Sequence, residues 1–300
     1  MASNSIKCGF ESHPGHGASI WQDRRMDAQL ARKTWRTLEP LHGAIYFAAE
    51  ARAEYAALGI DDRMTGYFAS RSAPMGAVPA SVVIATFFNF DHGLVERSID
   101  GVWDRVTPEA ILAARLRAAD GMIRRLIPEA VESAEMVEAA DIARTAALVA
   151  CENPEGRPLF AGHATLPWPT EPHLVLWHAQ SLLREFRGDG HIAALTVEGL
   201  SGCEALVTHG LAGDVPSDTL RLSRQRTDDD WAAAIESLRR RGWIGDDGAF
   251  TELGQERRRW IEDRTDELST APYAAVGDDG CDRLRSLGRP WSVAMMAAIG

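Results

Sequence analysis

Five ionisable side chains crowd into eight residues at Arg184-Glu-Phe-Arg-Gly-Asp-Gly-His191. Trp177 and His178 lie one to two helical turns upstream. At helical spacing Trp177 and Arg184 share a face with Gln180 between them, and His178 and Glu185 share the neighbouring face. Charges this dense between apolar stretches lose water, so they pair with one another or with a ligand. Two readings stay open: a salt-bridge knot that locks a helix corner, or an anion-binding or acid–base pocket.

Two further groups carry chemistry. His42 and Tyr46 are four residues apart, so a helix sets an imidazole beside a phenol. Such a pair can exchange a proton, hold a polar ligand, or simply be a hydrogen-bonded core histidine. Tyr67, Phe68 and Arg71 sit in a Gly- and Pro-bounded stretch, 65–76, read as an irregular loop. A guanidinium beside aromatic rings suits a carboxylate, a phosphate or a planar ring, or pins the loop to an acidic side chain. The candidate catalytic residues are therefore His42, Tyr46 and His178. The candidate ligand-binding residues are Tyr67, Arg71, Trp177, Arg184, Glu185, Asp189 and His191.

Metal chemistry has little support. Glu185, Asp189, His178 and His191 are possible iron or zinc ligands, but their spacing matches no known signature, and His13 and His16 fall in a tail. No metal is assigned. There is no HExxH, GxSxG or P-loop motif, and no GxGxxG opens a βαβ unit. The cofactor is left unknown.

The elements that must position these groups read as helices. Residues 1–25 are rich in Gly, Ser and His and read as a flexible extension. A helical domain is expected over 26–152. Its first helical pattern, 26–58, carries Trp35, Leu38, Ile45 and Ala49 on one face, with Pro40 expected to kink or restart it. A second helix is expected over 79–90. Another follows Thr107, with Pro108 and Glu109 in its first turn. Residues 129–151 continue helical, and Asn153-Pro-Glu-Gly156 marks the boundary between halves.

The second domain is expected over 157–275, with a tail at 276–300. Its first helix should run from about 170 to 186. Gly188-Asp-Gly190 reads as a tight turn, with Asp189 capping the next helix at 191–198. Another helix is expected at about 203–211. Thr227 caps a helix that leads into Gly242-Trp-Ile-Gly-Asp-Asp-Gly-Ala-Phe-Thr251. Asp247-Gly248 between apolar residues is a hairpin signal. Helix, short strand, turn, short strand and helix together resemble the winged helix of MarR-like regulators. The expected fold is mainly α, with a winged-helix-like module carrying a small β-hairpin.

Three strings carry a second resemblance: Glu39-Pro-Leu-His-Gly-Ala-Ile-Tyr46, Gly66-Tyr-Phe-Ala-Ser-Arg-Ser-Ala-Pro74, and Leu166-Pro-Trp-Pro-Thr-Glu-Pro-His173 continuing to Leu183–His191. They look like a family of actinobacterial helix-turn-helix proteins, over about 26–275. The resemblance implies a fold and a bacterial origin and brings no reaction with it.

The chain of 300 residues has a net charge of −11, which lowers the expectation of phosphate-backbone binding. Residues 226–265 themselves carry −2, and Asp228–Asp230 would lie near DNA. DNA contact, if made, would fall to Arg221, Arg224, Arg226 and Arg239–Arg241, with Arg239 and Arg240 foremost. No apolar stretch reaches membrane-span length and no secretory h-region opens the chain. The four cysteines form no CxxC pair, which fits a reducing cytoplasm. The first expectation is a protein that binds a small, anionic molecule in a polar, aromatic pocket between the halves, extending to acid–base enzyme chemistry. The alternative is a ligand-responsive winged-helix regulator that binds DNA. A homodimer is compatible with either.

Overall fold

The computed structural model describes residues 27–213 and 215–299. The expected extension at 1–25 lies outside them, as do His13 and His16.

Capping chemistry sets many of the helix starts. Asp27 opens α1 (Ala28–Gly43) by accepting from the Gln29 amide. Asp62 does the same for α3 (Arg63–Ser72), which follows α2 (Ala49–Ala56). Pro40 stays within α1, so the expected break falls instead at a 3₁₀ turn, Ala44–Tyr46. The short α4 (Ala80–Phe87), α5 (His92–Ile99) and α6 (Val102–Arg105) follow. Thr107 caps α7 (Pro108–Leu126), with Pro at the first position where no amide is needed. Then come α8 (Ala134–Cys151) and α9 (Pro158–Ala164).

The long α10 (Pro172–Val197) is one unbroken helix. The tight turn expected at Gly188–Gly190 does not form. Gly190 is there for close approach: a Cβ at this position would lie 2.7 Å from Arg157 Nη1. Asp189 consequently caps α9, not a new helix, by accepting from the Phe160 amide at 2.9 Å. The stretch 65–76, expected as a loop, is mostly α3, because Asp62 supplies a cap that its Gly and Pro content hides.

Beyond α10 lie α11 (Gly202–Leu211), α12 (Ser217–Ser223), α13 (Asp228–Arg240) and α14 (Glu252–Glu267). Reciprocal capping boxes open α11 and α13. The chain ends in α15 (Thr270–Ala274) and α16 (Gly277–Ile299). Residues 276–300, read as a tail, thus carry a long helix laid along α1 and α8. Gly288 permits that crossing, since a Cβ would lie 2.2 Å from Leu38 Cδ2.

The expected β-hairpin is corrected by the structure. Among the described residues there is no strand, and the fold is all α. Asp247-Gly248 does turn the chain, with Gly248 at φ +81°, but only Ile244 and Phe250 form a bridge. Two arms of a few residues, with Gly242 and Gly245 in one of them and no third strand alongside, are too short to hold a ladder.

Two apolar cores result. The larger joins α1–α9, the first half of α10, and α15–α16, around Leu38, Phe68, Met122, Phe160 and Leu182. The smaller holds Leu195, Leu200, Val207, Leu238, Trp243 and Ile261. Helix α10 runs from one into the other.

Candidate functional site

A cavity of about 500 Å³ opens where the two cores meet. Helices α1, α3 and α4 line it on one side, and α10, α11, α12 and α14 on the other. A void this size is in the range of small-molecule sites. Of the residues singled out for ligand binding, Tyr67, Arg71, Arg184, Glu185, Asp189 and His191 line it. Among the described residues seven arginines line it against four carboxylates, in a chain whose net charge is −11.

The inner wall is an ion-pair lattice. Arg71 Nη2 donates to both Glu185 oxygens, at 2.8 and 3.0 Å, and Arg71 Nη1 donates to the Tyr67 hydroxyl at 2.8 Å. Arg184 donates to Glu39 at 2.7 Å and to Glu185 at 3.0 Å. Burial opposes the Glu185 charge, but Arg71 and Arg184 outweigh it and hold the carboxyl well below its usual range. The Arg71 guanidinium also stacks over Phe87, 4.5 Å from the ring centre. A second lattice on the α14 side joins Arg32, Arg187 and Arg258 to Glu262, with Asp266 behind.

His42, Tyr46, Trp177 and His178 stand behind this wall. His42 and Tyr46 do meet: His42 Nε2 lies 2.7 Å from the Tyr46 hydroxyl. Ser181 donates to the Trp177 carbonyl and so accepts from His42 Nδ1 at 2.7 Å, which leaves Nε2 to accept from Tyr46. Burial, with Arg184 and Arg115 nearby, holds His42 neutral, well below its ordinary pKa. His178 points elsewhere, edge-on to Trp168, and burial lowers its pKa to about 3. Asp189, beside the cavity, is pushed by burial up to about 6.

Sequence reasoning missed Arg115, which is fully buried and donates to the Ser70 carbonyl, Tyr46 and His163. Its signal was an arginine on the apolar stripe of α7. It also missed Glu39 and Glu262 and gave Arg187, part of the charged string, no role of its own, because their partners come from distant segments. No group of three or more His, Cys, Asp or Glu among the described residues is arranged to hold a metal. No described helix is long and apolar enough to cross a membrane.

A model of a helix-turn-helix family matches residues 31–300. The chain belongs to that helix-turn-helix family. The match runs through α16, past the limit expected at 275. No curated protein and no solved structure matches the chain. In this helix-turn-helix protein, α12 and α13 are joined by a short turn, 224–227, with Gln225 at φ +52°. The arginines expected to face DNA divide. Arg221 pairs with Asp228, and Arg226 donates to the Asn89 and Phe90 carbonyls. Arg224 lines the cavity, Arg241 is bonded to the Glu198 and Gly199 carbonyls, and Arg239 and Arg240 are exposed. The exposed face of α13 also shows Asp228, Asp229 and Glu236.

Proposed function

We propose that this helix-turn-helix protein is a receptor for a small anionic molecule, which it holds in the cavity between its two cores. The supporting observation is the excess of arginine over carboxylate on the lining of a 500 Å³ cavity in an acidic chain. A surplus of cations on a concave lining attracts an anion. Rings of Tyr67, Phe87 and Phe90 on the same lining favour a ligand with a flat apolar part. Acid–base chemistry by His42 or His178 has weaker support, because neither lines the cavity.

The test is a thermal-shift panel of benzoate, 2-naphthoate, 2-naphthyl phosphate and anilinonaphthalene sulfonate. A ligand at 100 times its Kd stabilises by about 2.7 kcal/mol. Gly188 lines the cavity, and a Cβ there meets nothing nearer than Glu185 Oε2 at 3.6 Å, so Gly188→Phe fills the space without a backbone clash. At least one anion should raise Tm in the wild type and none in Gly188→Phe. No shift with any of them, or a shift that survives the filling, contradicts the reading.

A DNA-binding regulator that uses the cavity as its sensor is the second reading. Family membership favours it. The acidic face of α13 weighs against it.

A further inference from the structure

Among the cavity's arginines, Arg224 stands apart. Arg71 and Arg184 share Glu185 and Glu39, and Arg32, Arg187 and Arg258 share Glu262. Arg224 has no ion pair among the described residues. Its Nη1 donates to the neighbouring Ser223 hydroxyl at 2.8 Å, and its guanidinium lies 5.1 Å from the Phe90 ring centre. Its Nε is buried with no hydrogen-bond partner, as is Oδ1 of Asn89, also on the lining. Burial depresses its pKa, Tyr67 raises it, and Arg71 and Arg184 depress it further. A half-buried guanidinium with a sealed Nε and no counter-charge among the described residues is costly unless something anionic reaches it.

The surroundings describe what reaches it. Phe87, Phe88, Phe90 and Tyr67 share the lining with Arg224, whose guanidinium lies nearest the Phe90 ring. One unmatched guanidinium calls for a single negative charge, which a carboxylate carries and a phosphate monoester exceeds at neutral pH. We propose that Arg224, at the start of the α12–α13 turn, receives the carboxylate of an aromatic acid whose ring lies against Phe87, Phe90 and Tyr67. This rests on the cavity being a small-molecule site.

The position of Arg224 gives the ligand two holds. The Arg224 carbonyl accepts from the Asp91 amide at 3.0 Å, and Arg226 donates to the Asn89 and Phe90 carbonyls at 3.1 and 2.8 Å. The α12–α13 turn is thus clasped to the segment 88–91 of the larger core. Phe88 in that segment holds φ +60°, a strained conformation for a residue other than glycine. A bound aromatic acid touches both sides of the clasp and ties the α12–α13 turn to the helical body.

The experiment is calorimetric titration of the full chain and of Arg224→Met with 2-naphthoate, neutral 2-naphthamide and 2-naphthyl phosphate. Wild type should prefer the carboxylate to the amide by at least about tenfold. Arg224→Met should lose about 10–100-fold for the carboxylate and less than about threefold for the amide. Because Arg224 has no ion pair among the described residues to lose, Arg224→Met should melt no lower than wild type. On binding 2-naphthoate, amide exchange should slow at 87–91 and 216–227. If wild type binds none of the three probes, the cavity reading fails and this inference falls with it. If wild type binds the carboxylate and Arg224→Met binds it equally well, the cavity reading stands and Arg224 is not the receptor. A large loss of melting temperature in Arg224→Met also overturns the inference, since it makes the residue a structural prop. Tighter binding of the phosphate than of the carboxylate overturns the ligand class.

Discussion

Arg71 and Glu185, 114 residues apart, meet through two contacts of 2.8 and 3.0 Å and tie α3 to α10 at the inner wall of the cavity. Both side chains are buried. A buried pair contributes little net stability against an apolar replacement, but breaking one side strands the other charge. Glu185→Gln should therefore lower stability by about 3–5 kcal/mol. Arg71→Met with Glu185→Leu should recover part of that loss, although Arg184 keeps only Glu39. Urea unfolding at constant m-value measures both. A loss in the double variant equal to the sum of the losses from Arg71→Met and Glu185→Leu alone would show that the pair is not coupled.

Tyr46 closes a chain of buried hydrogen bonds, donating to His42 and accepting from Arg115 at 3.4 Å. Tyr46→Phe leaves His42 Nε2 without its donor, and the cost should be about 1–3 kcal/mol. Nitrogen NMR of His42 should show the proton on Nδ1, facing Ser181. A proton on Nε2 would mean that the order of donors runs the other way.

Burial holds His163, His178 and His191 down to about 4, 3 and 4, and keeps His42 low as well. Their folded pKa values lie below the ordinary value near 6.5, so unfolding takes up protons in the interval between. Stability should then fall as pH drops from 6.5 towards 4, by up to about 1.4 kcal/mol per pH unit for each group. Asp189 works in the opposite sense: raised to about 6, it is protonated more readily in the folded state and offsets part of the loss. Unfolding midpoints at pH 7.5, 6.5 and 5.5 should decline. His178→Phe, which removes an imidazole whose Nε2 has no partner, should decline less steeply. A flat profile, or an unchanged slope in the variant, contradicts these assignments.

Much of this was legible in the sequence. Thr107 and Pro108, Thr227 and Thr251 mark helix starts by cap chemistry that acts within a turn. Arg184, Glu185, Asp189 and His191 stand out by density of charge, Tyr67 and Arg71 by a guanidinium beside aromatic rings, and all six line the cavity. What escaped was set by contacts between distant segments. Gly188 and Gly190 read as a turn because their helical role depends on Arg157 and the cavity. Asp247-Gly248 read as a hairpin because its local turn chemistry is right, while the missing neighbouring strand is a tertiary fact. Arg224 read as a DNA contact because its place inside the cavity depends on how α12 packs against the segment 88–91.

The outer face of α13 makes a separate prediction. Asp228 and Asp229 are exposed at the helix end that would enter a groove, against Arg239 and Arg240 at the other end. Duplex DNA should bind weakly at physiological salt, at about 10⁻⁴ M or poorer. Asp228→Asn with Asp229→Asn should tighten it by removing repulsion. Electrophoretic shifts at two salt concentrations decide this. Tight, salt-dependent binding by the wild type, lost in Arg239→Ala with Arg240→Ala, would favour the regulator reading.

The most direct measurement is a crystal structure of the full chain grown with 2-naphthoate. Density should fill the space between the two cores, with the carboxylate on Arg224 and the rings against Phe87 and Phe90. An empty cavity beside a ligand bound elsewhere, or a carboxylate pointing to solvent, would contradict the account.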